Sequence, residues 1–234
     1  MDKKTEQELL ELVRQNYEEI ALSFNETRRK AVWPEIAKLA AEVKYGESVL
    51  DAGCGNGRLR DVFKGKPINY LGIDISQSLI RLAEANEEWK LVFQQFAVGD
   101  ILELDRLTTK KFDYIFSVAV LHHLPGINIR LEALAQLKNH LKPGGTIIIS
   151  VWNMWRRRDL LWLILKFGFN KLIGQNKMDW GDIVFDWRGE KASQRYYHAF
   201  TKKELIKLFG LADLEIIKFT DDKLNYYMQL KNRG

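Results

Sequence analysis

Val49-Leu50-Asp51-Ala52-Gly53-Cys54-Gly55-Asn56-Gly57-Arg58-Leu59 sets the reading of the whole chain. A short apolar run ends in a turn with three alternate glycines and passes into a helical pattern, the place where an open α/β sheet takes a nucleotide. Glycines at 53, 55 and 57 let the backbone approach a ligand closely and accept positive φ. Position 58, where a dinucleotide fold carries Gly or Ala, is Arg, which disfavours a pyrophosphate reader. Asp51 would repel a phosphate but attract the ammonium of an amino-acid moiety. Asp74 closes Leu71-Gly72-Ile73-Asp74-Ile75, about 20 residues on, where a carboxylate can accept both ribose hydroxyls.

Outward from this loop the period alternates. Ser48 to Gly53, Tyr70 to Ile75, Val92 to Ala97, Phe112 to Val118 and Thr146 to Trp152 read as buried strands, with helices over Leu59–Lys64, Ser78–Asn86 and Asn128–Leu141 between them. Such a βα alternation predicts a parallel sheet covered on both faces. Upstream, residues 6–24 carry Leu9, Leu12, Val13, Ile20 and Phe24 at helical spacing, and a second helix spans about 33–44. Downstream, residues 153–200 lose clear alternation and read as an insertion over the carboxyl edge of the sheet. Lys202 to Gly210 predicts a last helix, and Leu214–Thr220 with Asn225–Leu230 an antiparallel closing hairpin. The expectation is one domain, 1–234, around a mostly parallel sheet of seven strands: N-terminal helices to 47, a core over 48–152, the insertion over 153–200, and the last helix and hairpin over 201–234.

Composition narrows the class. With 234 residues, 46% hydrophobic and only 4 prolines, the chain can build a core and is neither disordered nor collagen-like. One cysteine, Cys54, excludes a disulfide scaffold and a Cys-rich zinc cluster, which fits a reducing cytoplasm. The charged start predicts no signal peptide, and the longest apolar run, Leu160 to Leu165, is too short to span a membrane. The formal net charge of +5 is uneven, the excess falling in the last third with Arg156-Arg157-Arg158 as its densest point. That suits either a polyanion-binding face or a solvated one.

Four segments in order, Asp51-Ala52-Gly53-Cys54-Gly55-Asn56-Gly57, Asp74, Gly99-Asp100-Ile101 and Leu141-Lys142-Pro143-Gly144-Gly145, resemble a class I S-adenosylmethionine-dependent methyltransferase. The resemblance implies a Rossmann-like α/β fold and a cofactor site at Asp51, Gly53, Cys54, Gly55, Gly57, Asp74, Ile75, Asp100, Ile101 and Val118. Cys54 reads as a small loop residue rather than a nucleophile, since nothing basic precedes it.

Three further segments bear on the methyl acceptor: Tyr17-Glu18-Glu19-Ile20-Ala21 with Phe24, Thr27, Arg28, Trp33 and Pro34; Ala119-Val120-Leu121-His122-His123-Leu124; and Gln194-Arg195-Tyr196-Tyr197-His198-Ala199-Phe200. Singly, each suits core packing. Together they resemble the family that methylates the carboxylate of carboxymethyluridine at the tRNA wobble position, including the methyltransferase domain of the AlkB-homologue tRNA hydroxylase. That family commonly follows the Trp152 position with a segment ending in Gln, whereas this chain reads Asn153-Met154-Trp155-Arg156-Arg157-Arg158.

The resemblance implies a carboxylate acceptor, which is ionised at neutral pH and attacks a sulfonium methyl without a general base. Arg28 and Arg195 are the candidates to clamp it through paired hydrogen bonds, with Tyr196, His198 and His123 orienting base or carboxylate and His123 as an alternative general base. Trp33 could stack on cofactor or base. For the anticodon loop of a tRNA partner, the triple arginine, Lys171, Lys177, Arg188 and Lys191 could meet phosphates and Trp155, Trp180 or Trp187 an unpaired base. Leu160–Phe169 could instead lie on a membrane surface, although no membrane is expected. A small zinc-binding activator subunit, as eukaryotic members use, is a further expectation of the resemblance. Two other functions stay open: methylation of a small carboxylic acid or lipid-quinone precursor, and a non-catalytic cofactor-binding subunit.

Overall fold

A computed structural model describes residues 1–28, 32–86, 93–187 and 193–233, with Trp187 described by its backbone alone. Strands β1 (Ser48–Ala52), β2 (Asn69–Asp74), β3 (Phe93–Val98), β4 (Phe112–Val118) and β5 (Leu141–Trp152) run parallel to one another in the order β3-β2-β1-β4-β5. The sheet closes with β8 (Leu214–Asp221) and β9 (Asn225–Asn232); β9 lies antiparallel between β5 and β8, Ile149 opposite Met228 and Ser150 opposite Tyr227. This is the mostly parallel seven-stranded α/β sheet that the alternation predicts.

The strands are apolar on both faces because both are covered. Leu50, Ile115, Ile147 and Ile149 point into one core, while Val49, Phe116 and Ile148 point into the other. The first core is shared with α6 (Ile127–Asn139) and α8 (Lys202–Leu211), the second with α3 (Pro34–Ala41). A capping box on Thr201 and Glu204 starts α8. Strand order reverses between β1 and β4, so the loops that follow them open a crevice at the carboxyl edge, the position at which such sheets bind ligands.

The boundaries differ from expectation in several places, and β5 begins at Leu141 rather than Thr146, taking in the segment expected as the turn before it. The helix over 6–24 is two helices, α1 (Lys3–Glu19) and α2 (Ala21–Thr27), broken at Ile20. Leu59–Lys64 is a 3-10 turn over Arg58–Phe63, and short α5 (Leu104–Leu107) follows β3. The insertion is regular: α7 (Arg158–Leu172) and a separate antiparallel pair, β6 (Asp182–Trp187) with β7 (Ser193–His198). Alternation fails to reveal β7 because from Arg195 to His198 it is buried on both faces. Between them, α4 (Gln77–Ala85) is capped by Ser76. Val92, expected to begin β3, lies outside the described residues.

Candidate active site

The crevice holds a cavity of about 310 Å³ lined by the loop after β1, the ends of β2 and β4, α1, α2 and β7. Gly53, Gly55 and Gly57 all have positive φ, and a Cβ at Gly53 would sit 2.2 Å from Val120. The loop is anchored from below: Gly53 and Cys54 both donate their N–H to the Ile73 carbonyl. Cys54 is buried, which pushes its thiol well up and leaves it inert as a nucleophile.

Asp74 accepts from the Gly55 N–H at 2.8 Å and the Ser76 N–H at 2.9 Å, one bond per oxygen. Lone pairs on both oxygens remain for a ligand diol. Its carboxyl is pushed up by burial. Asp51, buried beside it, accepts from the Tyr70 hydroxyl at 2.6 Å, and burial pushes its pKa up to about 7. Arg58 also lines the cavity, its guanidinium over the Trp33 ring at 5.4 Å; burial, then repulsion from Arg28, brings it down to about 10, while Asp51 supports its charge. An acid and a cation, Asp51 and Arg58, thus share one end of the pocket, matching an amino-acid zwitterion. Ile75, Asp100, Ile101 and Val118 line the same cavity.

Arg28 and Arg195 also stand on the cavity wall, the first ending α2 with its guanidinium over the Phe24 ring at 5.4 Å, the second buried on β7. Both cations act on the half-buried Tyr17, whose phenol is raised foremost by desolvation. The hydroxyl of Tyr17 is 2.7 Å from Nε2 of His123, and Nδ1 of His123 is 3.3 Å from the Tyr196 carbonyl. A carbonyl only accepts, so Nδ1 carries the proton and Nε2 accepts from Tyr17. Burial, with Arg195 adding to it, lowers His123 to about 3, so the ring is neutral. Arg195 donates to the Tyr197 hydroxyl at 3.3 Å, and Tyr197 stacks on Trp152 with ring centroids 5.1 Å apart. His122, fully buried and held neutral, packs against both rings.

Two expected site residues are placed elsewhere. Side chains alternate along a strand, so with Arg195 and Tyr197 facing the cavity, Tyr196 and His198 face away from it. The Tyr196 hydroxyl donates to Asp182 at 2.8 Å and His198 Nδ1 to the same oxygen at 2.6 Å; Arg130 stands 3.6 Å from that oxygen. This buried network locks the β6–β7 pair to α6, compensating the Asp182 charge, and does not orient a substrate.

Arg28, His123, Arg195 and the residues expected to hold the cofactor are brought to one cavity, except Gly57, which turns the loop beneath it and packs against Phe96 and Ala83. Tyr17, Arg58, Trp152 and Tyr197 line it as well and are the residues that sequence reasoning passed over. Tyr17 heads one of the quoted motifs, and the Arg58 signal was its place directly after the glycines. Among the residues expected to meet tRNA, Arg156, Arg158, Lys177, Trp155 and Trp180 are exposed, Arg157 pairs with Asp159, and Lys171 donates to the Met178 carbonyl. Arg188, Lys191 and the Trp187 side chain lie outside the described residues.

A family model described as a methyltransferase domain matches residues 24–218. The chain is similar to the tRNA (carboxymethyluridine(34)-5-O)-methyltransferase of Schizosaccharomyces pombe, 27% identical over 93% of this chain and 95% of that one. It is also similar to proteins of the same description from Arabidopsis thaliana, at 36% identity over 58% of this chain, and mouse, at 34% over 64%. It spans nearly the whole yeast relative but only 31% of the plant protein and 22% of the mouse one. Among solved structures, an S-adenosylmethionine-dependent methyltransferase from Methanosarcina mazei superposes with a TM-score of 0.69 at 20% identity, covering 87% of this chain and 99% of that one. The 1,6-didemethyltoxoflavin-N1-methyltransferase of Burkholderia thailandensis gives 0.69 at 20%, covering 98% and 91%. At such identity these two likenesses speak to the fold.

Proposed function

The chain belongs to the methyltransferase-domain family and is an S-adenosylmethionine-dependent methyltransferase, and from that premise we propose that it esterifies the carboxylate of 5-carboxymethyluridine at the tRNA wobble position. The observation that carries this reading is the placement of two guanidinium groups, Arg28 and Arg195, on the wall of the cavity that also holds Asp51 and Asp74.

The residues fit the cofactor. Asp51 and Arg58 would hold the ammonium and carboxylate of its methionine part, Asp74 the ribose hydroxyls and Asp100 with Ile101 the adenine, while the glycine turn leaves space that a Cβ would fill. When bound, S-adenosylmethionine supplies an electrophilic methyl on a sulfonium. The chain's part is to present the acceptor oxygen in line with that methyl and to exclude water, an orientation task.

Arg28 and Arg195 would hold the carboxylate, each charged hydrogen bond contributing about 1.5–3 kcal/mol. Trp152 and Tyr197 offer a flat aromatic wall for the base. A carboxylate at neutral pH carries no proton to remove. A neutral His123 whose Nε2 already accepts from Tyr17 suits that chemistry: it positions Tyr17 and is not required as a base. The basic last third supports an RNA acceptor, whose phosphates attract Lys and Arg. A small activator subunit belongs to the same reading. β3 ends the sheet, with Phe93 58% exposed, and an open strand edge pairs readily with a partner strand.

Labelled S-adenosylmethionine with purified protein and tRNA lacking the ester, with and without ribonuclease, tests the proposal. Label lost on ribonuclease treatment supports it. Transfer insensitive to ribonuclease would favour a small carboxylic acid as acceptor, and no transfer to any acceptor would favour a non-catalytic binding subunit.

A further inference from the structure

Helix α7 is apolar on nearly every side. Leu160, Leu163, Ile164 and Phe167 form its inner face, packed with Tyr197, Ile183 and Trp152. Its outer face carries Trp162, Leu165, Phe169 and Leu172 at i, i+3, i+7 and i+10, followed by Ile173. All are exposed, Trp162 at 64%, Phe169 at 61% and Leu172 at 71%. A helix apolar all round is ordinarily covered all round, and a contiguous apolar stripe of this size on a surface marks a binding face.

The charges beside the stripe indicate the occupant. Residues 155–180 hold Arg156, Arg157, Arg158, Lys166, Lys171 and Lys177 against two acids, Asp159, which pairs with Arg157, and Asp179, which pairs with the Met1 ammonium. Arg158 and Lys166 are exposed at the rim of the stripe, and the Lys166 ammonium lies over the Trp162 ring at 5.2 Å. Trp155 and Trp180 are also exposed nearby, Trp180 against Gly168 of the helix. RNA would satisfy the cations and the tryptophans but would leave Leu165, Leu172 and Ile173 in water. An anionic bilayer satisfies all of them: aliphatic side chains enter the acyl boundary, tryptophans sit at the headgroups and cations meet the phosphates.

We infer that α7 is a membrane-surface helix, docking the protein in plane on an anionic bilayer through Trp162, Leu165, Phe169, Leu172 and Ile173 with Arg158 and Lys166 at the rim. No helix among the described residues is long and apolar enough to cross a membrane, so the association is peripheral and reversible. It departs from the expectation that no membrane is involved. The inner face of the same helix packs on Trp152 and Tyr197, which line the methyl-acceptor cavity. A docked helix therefore lies one side-chain layer from that cavity. The inference does not depend on which acceptor the enzyme methylates.

The test is co-sedimentation of the whole protein with vesicles of phosphatidylcholine alone and with about one third phosphatidylglycerol, over a range of salt. The expected result is a partition onto the anionic vesicles at least tenfold stronger than onto the neutral ones, falling as salt rises. Leu165→Glu with Phe169→Glu should remove it while leaving S-adenosylmethionine affinity unchanged, and Lys166→Glu should weaken it several-fold. Because the wild-type salt and lipid series stands alone, a misfolded variant does not spoil the experiment. Equal partition onto both vesicle types, none onto either, or undiminished binding by a folded double variant would overturn the inference. So would a dimer that the double variant converts to monomer without any vesicle binding, since the stripe would then be a self-interface.

Discussion

The hydroxyl of Tyr17 donates to Nε2 of His123 over 2.7 Å, joining α1 to the loop after β4 across the cavity. That bond occupies the lone pair a general base would need. The turnover number is therefore expected to stay flat between about pH 6 and 8, the acceptor being ionised throughout. Tyr17→Phe leaves a buried acceptor unmatched, at a cost of about 1–3 kcal/mol in unfolding free energy, and lowers turnover without introducing a pH slope. Steady-state rates across that range and denaturant unfolding check both parts.

Asp51 gives the cofactor site its own pH dependence. Burial raises this carboxyl to about 7, so at lower pH the free protein holds it protonated, whereas a ligand ammonium favours the ionised form. Affinity for S-adenosylmethionine should thus be constant above about pH 8 and fall towards tenfold per pH unit below 7. Calorimetric titration at several pH values measures this, and Asp51→Asn should bind weakly with no such slope.

The guanidinium groups divide by role. Arg28→Met and Arg195→Met should each reduce kcat/KM for the acceptor by about a hundredfold, near 2.7 kcal/mol, with cofactor affinity changed less than threefold. Arg58→Met should do the reverse, weakening the cofactor. A decarboxylated cofactor analogue should bind wild type and Arg58→Met alike, since neither complex then contains the ion pair.

Gly53 has φ +83°, and an added Cβ would lie 2.2 Å from Cγ2 of Val120. Gly53→Ala therefore combines left-handed strain of about 1–2 kcal/mol with overlap of a cavity-lining side chain. Cofactor affinity should fall at least tenfold, as measured by calorimetry. Gly46, also at positive φ but with open space around it, should tolerate Ala with a loss confined to the backbone term.

Local rules exposed the parts of this protein that local rules govern. Five parallel strands follow from apolar runs such as Ile147–Val151 because both sheet faces are covered, and the glycine turn follows from positive φ and close approach. The side to which a β7 residue points was not legible, because Arg195, Tyr196, Tyr197 and His198 are all buried and no polar alternation marks a face. That is why Tyr196 and His198 were expected at the cavity and lie instead on Asp182, a long-range partner. The break between α1 and α2 was hidden as well, since Ile20 continues the helical spacing through it. The Tyr17–His123 bond joins residues 106 apart, a separation that spacing alone does not bridge.

On the proposed reading, Arg28 and Arg195 present a wobble-uridine carboxylate to the cofactor methyl. Nucleoside mass spectrometry of tRNA carrying 5-carboxymethyluridine, after incubation with the purified protein and S-adenosylmethionine, tests it most directly. The wild type should convert that nucleoside to its methyl ester, and Arg28→Met and Arg195→Met should do so at least a hundredfold more slowly. An unchanged 5-carboxymethyluridine peak with active, cofactor-binding protein, or equal conversion by the folded variants, would contradict it.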